Sequence, residues 1–235
     1  MSETTYPNEL VDPDVLATHE EHALLRGAPW QRFAVIGDSI AEGIGDPVDG
    51  YRTLDWSRRV ARGLRAHHRD LSYLNLGSRG LRAAEVRDRQ LSEAVLFAPD
   101  LTAVCAGAND AMARLFDAGA LEAELDTIVG TLRDAGSDVL LFTLFDVSRA
   151  ITLPDPYGTR LGDRMATLTL ITRAVADRHG AMVADCAAHP RAADPSIYSA
   201  DLLHLNMRGH AIAAAAAMQT LGAAAAGIEP AAMAW

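Results

Sequence analysis

Cysteine is scarce in this chain. Only Cys105 and Cys186 occur among 235 residues, too few for a disulfide framework. Each lies in or at the end of an apolar run, where a thiol behaves as a small buried residue. Long basic runs are missing, and the net charge is −10 with a pI near 5.2. Nucleic acid and anionic membranes are therefore not expected as partners. No stretch reaches the ~18 apolar residues that a membrane-spanning helix needs. The Ala-rich stretch from Ala211 to Ala226 is too small-residued to act as an anchor. Met1 to Pro7 is polar and lacks the basic and apolar regions of a signal peptide. The expectation is a cytoplasmic protein. Gly-x-Ser-x-Gly is absent too, which argues against the nucleophile turn of the α/β-hydrolases. Gly43-Ile44-Gly45-Asp46 lacks the third glycine and the lysine of phosphate loops. His19-Glu20-Glu21-His22 is not a His-Glu-x-x-His motif and has no third ligand nearby, so it reads as a solvated helix face. Neither a metal nor an organic cofactor is expected.

What the chain does have is apolar residue, 49% of the total, enough for a sizeable core. Its length suits one domain, over residues 31–228, preceded by a partly helical extension over residues 1–30. Five apolar runs read as strands: Phe33–Ile36, Tyr73–Leu76, Leu101–Ala106, Val139–Phe145 and Ala181–Asp185. Helical patterns separate them, over 55–67, 81–97, 121–133 and 164–179, and a last one covers 208–221. Strands alternating with helices imply βαβ units and a parallel sheet. The fold class is α/β, a three-layer α/β/α sandwich around a five-stranded parallel sheet of flavodoxin-like order. Within the extension, 14–26 reads as a helix. The stretch 146–163, with Pro154, Pro156 and Gly158, is the longest without an assigned element. It reads as a long loop, either a lid or an inert connector.

In such sheets sites form beyond the carboxyl ends of the strands. Ser39 follows the first strand in Gly37-Asp38-Ser39-Ile40, which displays its hydroxyl at a helix N-terminus against buried sheet. Gly77 follows the second strand, and Asn109 follows the third in Gly107-Ala108-Asn109-Asp110. Asp201 and His204 stand three apart near the C-terminus, in Asp201-Leu202-Leu203-His204. Taken singly, each has a plainer explanation. Ser39 and Asp201 could be helix caps, Gly77 and Asn109 turn residues, and His204 a surface histidine.

Together and in this order, the four blocks resemble the GDSL, or SGNH, hydrolases, a family of esterases and lipases. The resemblance runs from about Phe33 to about Gly209. Ile40 stands where the family motif has leucine, a swap between branched aliphatics at a packed position. The resemblance implies that 31–228 is an SGNH hydrolase-like domain. It implies Ser39 as nucleophile, with Asp201 and His204 completing a triad. The Ser39 N–H, the Gly77 N–H and the Asn109 side chain would form an oxyanion hole. It also implies a small-molecule ester as substrate. The chemistry agrees with the residue types. Imidazole titrates near neutrality, a carboxylate three residues away can fix its tautomer, and donors aimed at an acyl oxygen stabilise developing charge. Asp38 and His210 are expected to be structural. Arg79, Arg82, Arg87 and Arg89 read as solvated helix charges, with Arg79 and Arg82 nearest the site. Two other functions stay open: an acyltransferase using the same acyl-enzyme, and a binding module of the same fold without turnover.

Overall fold

The computed structural model describes residues 6–151 and 153–228. The first five residues of the expected extension, and Thr152 of the long segment, lie outside the described residues. In chain order the elements begin with α1 (Pro7–Val11), α2 (Thr18–Leu24), β1 (Arg32–Gly37), α3 (Ser39–Glu42) and α4 (Trp56–Arg65). β2 (Ser72–Asn75), α5 (Ala83–Val86), a π-turn over Arg87–Leu91, α6 (Ser92–Leu96) and β3 (Leu101–Cys105) follow. The second half runs through α7 (Ala108–Met112), α8 (Ala118–Asp134), β4 (Asp138–Thr143), α9 (Tyr157–His179), β5 (Met182–Asp185) and α10 (Met207–Ala225). All five strands are parallel, in the order β2-β1-β3-β4-β5, the flavodoxin-like order expected. Helices cover both sides of the sheet, with α4 packed on α10 and α8 packed on α9.

Local chemistry explains the elements. β1 and β3, the two inner strands flanking the site, read as near-continuous apolar runs because both faces are covered. Asp55 caps α4 by accepting the Arg58 N–H at 3.0 Å, and Trp56, Val60 and Leu64 turn one fully buried face inward. Asp117 caps α8 in the same way through Ala120 N–H at 2.9 Å. The buried Leu121, Leu125, Ile128, Val129 and Leu132 supply its apolar stripe. No helix among the described residues is long and apolar enough to cross a membrane.

Three expectations change. The segment 146–163 is not one long loop: a short 3₁₀ turn covers Val147–Arg149, and α9 starts at Tyr157. Pro156 is the N-cap residue of α9, a place where proline does no harm because no helical N–H is lost. The helix expected over 81–97 is interrupted by the π-turn. The helix over 14–26 is shorter, and its Glu21 is not solvated. Glu21 is 3% exposed and accepts from Arg62 Nη2 at 2.6 and 2.7 Å.

Residues 6–30 pack onto the rest of the chain. Leu25, Ala28 and Trp30 belong to the common core. Glu9 and Arg59 are both buried and joined by two parallel bonds of 2.9 Å. Such a bidentate pair is costly to break, because either partner alone would leave a buried charge. Asp12 binds Arg208 Nε at 2.7 Å and the Tyr51 hydroxyl at 2.6 Å, which ties this segment to the start of α10.

Candidate active site

The end of β1 sets the position of Ser39. Gly37 has φ +141°, and a Cβ there would lie 1.9 Å from the Cys105 carbonyl oxygen, so β1 and β3 can pair this closely only at glycine. Gln90, on the π-turn, grips both polar groups of Gly37. Its Oε1 accepts the Gly37 N–H at 2.7 Å, and its Nε2 donates to the Gly37 carbonyl at 2.9 Å. A π-turn aims one side chain where a regular helix would not. Asp38 then caps α3, accepting the Ile40 N–H at 2.9 Å. It is fully buried, and that burial pushes its carboxyl up to about 7 against the hydrogen bond and the nearby His204. Ser39 opens α3 and is 9% exposed.

Across from it, the segment before α10 carries His204 and Asp201. His204 Nε2 lies 2.9 Å from Ser39 Oγ. His204 Nδ1 lies 2.6 Å from Asp201 Oδ2. The other carboxylate oxygen of Asp201 accepts the N–H groups of Leu203 and His204, both at 3.0 Å. Burial works to raise the Asp201 pKa, but the hydrogen bonds from His204 and those two N–H groups outweigh it and hold it at about 2. Asp201 is thus an ionised acceptor at neutral pH, which favours the proton on His204 Nδ1 and leaves Nε2 to face Ser39. Asp46 pins this segment, accepting the Ala200 N–H at 2.8 Å and, through its carbonyl, the Met207 N–H at 3.0 Å. Asn206 caps α10 and donates to the carbonyls of Ser196 and Tyr198 at 2.9 Å each.

The expected donors separate into two groups. Asn109 lines the same cavity as Ser39 and His204. Its Nδ2 donates to the Leu81 carbonyl at 2.9 Å and, over a longer 3.4 Å, to Asp38 Oδ2, so both amide hydrogens have acceptors, the second a weak one. Gly77 departs from expectation. Its N–H already donates to Asn75 Oδ1 at 2.8 Å, and it does not line the cavity. Its need for glycine is steric, since a Cβ would meet the Glu42 nitrogen at 2.3 Å. Three residues on, Gly80 does line the cavity, with φ +78° and open space around it. Among the described residues neither its N–H nor that of Ser39 has a hydrogen-bond acceptor. Sequence reading missed Gly80, Asn75 and Gln90. The glycine pair Gly77/Gly80 was visible, but nothing in the spacing says which N–H is spent on a turn.

The site opens into a cavity of about 270 Å³. His210, behind the segment, is 1% exposed. Its Nε2 donates to the Ile44 carbonyl at 3.0 Å, and its Nδ1 accepts the Trp56 N–H at 3.4 Å. Burial lowers its pKa to about 4, so it is a neutral structural group. Cys105 and Cys186 are free and buried. Among the described residues no three His, Cys, Asp or Glu side chains gather as a metal site would need. Arg87 and Arg89 pair with Glu124 and Glu85, whereas Arg79 stands at the cavity itself.

Comparison with known proteins adds three findings. The GDSL-like lipase/acylhydrolase family model matches residues 35–212. No curated protein matches the sequence. Several solved structures share the fold. An alpha/beta hydrolase enzyme from the metagenome of Lake Arreo, Spain, superposes with TM-score 0.66 at 22% identity, covering 82% of this chain and 95% of its own. An acetylxylan esterase from Geobacillus stearothermophilus gives 0.65 at 19%, covering 82% and 94%. A lipase/acylhydrolase from Enterococcus faecalis gives 0.65 at 21%, covering 83% and 96%.

Proposed function

The chain belongs to the GDSL-like lipase/acylhydrolase family, and from that premise we propose that it is a serine esterase cleaving a small-molecule ester through an acyl-enzyme on Ser39. One observation carries the reading: the unbroken hydrogen-bond chain from Ser39 through His204 to Asp201, at 2.9 and 2.6 Å. An isolated serine hydroxyl is a weak nucleophile at neutral pH, and a base on its oxygen removes that barrier.

In the proposed cycle Ser39 Oγ attacks the acyl carbon while its proton passes to His204 Nε2. The new C–O bond leaves a tetrahedral oxyanion, which the Ser39 N–H, the Gly80 N–H and the Asn109 amide stabilise. Gly80 replaces Gly77 in this role because Gly80 lines the cavity and Gly77 does not; Asn109 would exchange its long 3.4 Å bond to Asp38 for the oxyanion. The bond to the leaving alcohol breaks, and His204 returns the proton to that oxygen. Water then gives a proton to His204 and adds to the acyl carbon. The Ser39–acyl bond breaks, and Ser39 recovers its proton as the acid departs. Asp201 holds the imidazole in the required tautomer and offsets its positive charge in both halves.

An acyltransferase would form the same acyl-enzyme. Among the described residues, the segment 146–163 reaches the cavity only through Val147, and its last part is the start of α9; we take water as the acceptor. The test is Ser39→Ala with p-nitrophenyl esters. Loss of a triad nucleophile costs ~10⁶ in kcat, and a folded variant that keeps a tenth of wild-type activity would overturn the assignment. Free acid as the product across a panel of alcohols, sugars and amines supports hydrolysis over transfer.

A further inference from the structure

The cavity beside Ser39 does not stop at the reacting atoms. From Ser39 and His204 it runs inward to Trp56, Phe142, Cys186 and Ala213, all 6% exposed or less. The polar atoms along that wall are already engaged. Trp56 Nε1 donates to the Ile40 carbonyl at 2.7 Å, and the Tyr198 hydroxyl donates to the Ala192 carbonyl at 3.0 Å. Thr143 Oγ1 donates to Asp185 Oδ1 at 2.6 Å and accepts the Ala187 N–H at 3.0 Å. Burial raises the Cys186 pKa and keeps it a neutral thiol. A hydroxylated group placed here would lose its water and find few partners, which is costly. A hydrocarbon loses nothing and gains contact.

The chamber also fixes which half of an ester enters. The leaving alcohol must escape before deacylation, and water must then arrive. Both need the open side, where exposed Arg79 and Gly80 stand. The acyl group stays bonded to Ser39 through both steps, so the inner side, lined by buried Trp56, Phe142, Cys186 and Ala213, suits it. The whole cavity, open side included, measures about 270 Å³, at the small end for ligand pockets, which suits a short or medium chain and not a long one. Met165, 5% exposed, lines both this chamber and a separate outer groove formed by Arg149, Thr169, Leu170 and Arg173. It is the residue that the two have in common.

Resting on the esterase reading above, we propose that the chamber is an acyl pocket selecting an unbranched aliphatic acyl group of about six to eight carbons. Met165 is the partition that limits its length. The test measures kcat/KM for p-nitrophenyl esters from acetate to laurate, beside the rate at which alkyl fluorophosphonates of matching chain length label Ser39. Each buried methylene should raise both rates about fourfold, ~10²-fold from acetyl to hexanoyl, with a fall beyond about ten carbons. Ala213→Leu, which fills the chamber, should move the optimum down by about two or three carbons. Met165→Ala, which joins the chamber to the groove, should move it up by a similar amount.

Rates that are flat with chain length, or highest for acetyl, would overturn the pocket while leaving the esterase standing. An optimum unmoved in Met165→Ala would overturn the role of Met165. Failure of every probe to label Ser39 would instead overturn the esterase reading, and the pocket with it. If Ala213→Leu does not fold by circular dichroism, the wild-type series and Met165→Ala still decide the question.

Discussion

Replacing Gln90 by methionine tests how the end of β1 is held. The substitution keeps an unbranched side chain of similar volume and removes both polar atoms. Gln90 is 4% exposed, so water has little access to replace it. The Gly37 carbonyl would keep the Ser78 N–H at 3.1 Å. The Gly37 N–H has no second acceptor among the described residues. An orphaned buried donor costs about 1–3 kcal/mol, and the lost second bond adds about 1. The expected destabilisation is therefore about 2–4 kcal/mol, a fall in Tm of about 4–16 °C for a chain of this size. Urea denaturation followed by circular dichroism gives the free energy directly. Ser39 lies two residues past the clamp, so kcat should also drop, by about tenfold if its hydroxyl drifts from His204. A Gln90→Met protein with wild-type Tm and wild-type kcat would refute this account of how Ser39 is positioned.

Three further changes have expected outcomes. Asn109→Ala should lower kcat by about 10²–10³ with a smaller effect on KM, because its amide acts on developing charge; a pure KM effect in steady-state assays would assign it to substrate binding. Asp201→Asn would leave the backbone N–H acceptor in place but turn an amide toward His204 Nδ1, forcing the proton onto Nε2. kcat should fall by up to about 10⁴, and activity near wild type would mean that another group orients His204. His210 binds its proton less readily in the folded chain, at about 4, than unfolded, at about 6.5. Its stabilising effect is thus full above about pH 6.5 and lost as pH falls toward 4. Asp38, raised to about 7, acts in the opposite sense over the same range, so the comparison must be with His210→Gln. The stability difference between wild type and His210→Gln should shrink by about 2.5 kcal/mol between about pH 7.5 and about pH 4.5; a constant difference in urea titrations would contradict a neutral buried His210.

The sheet was legible because its strands are apolar runs bounded by helical periods, and that pattern follows from burial on both faces. That Ser39 and Asn109 would come together was legible because both follow apolar runs and the ends of neighbouring strands meet there; the pairing of Asp201 with His204 was legible from their three-residue spacing. What escaped the sequence depends on pairings distant along the chain. Glu21 looked solvated until α4 brought Arg62 against it. Gln90 lies within the expected helix over 81–97, and only the π-turn shows that it reaches Gly37, 53 positions away. Gly77 and Gly80 are equivalent by residue type. The Asn75 side chain decides between them by occupying one N–H. The stretch around Pro156 had no assigned element because proline's tolerated place, at the very start of a helix, depends on knowing where α9 begins.

The most direct test of the central claim is to catch the covalent intermediate. Wild-type protein is mixed with p-nitrophenyl hexanoate, quenched in acid during the first turnover, and weighed intact by mass spectrometry, followed by peptide mapping. The account predicts a mass increase of one hexanoyl group on the peptide that contains Ser39, decaying as hexanoic acid appears, and no increase in Ser39→Ala. An acyl group found on another residue, or an unchanged increase in Ser39→Ala, would contradict it.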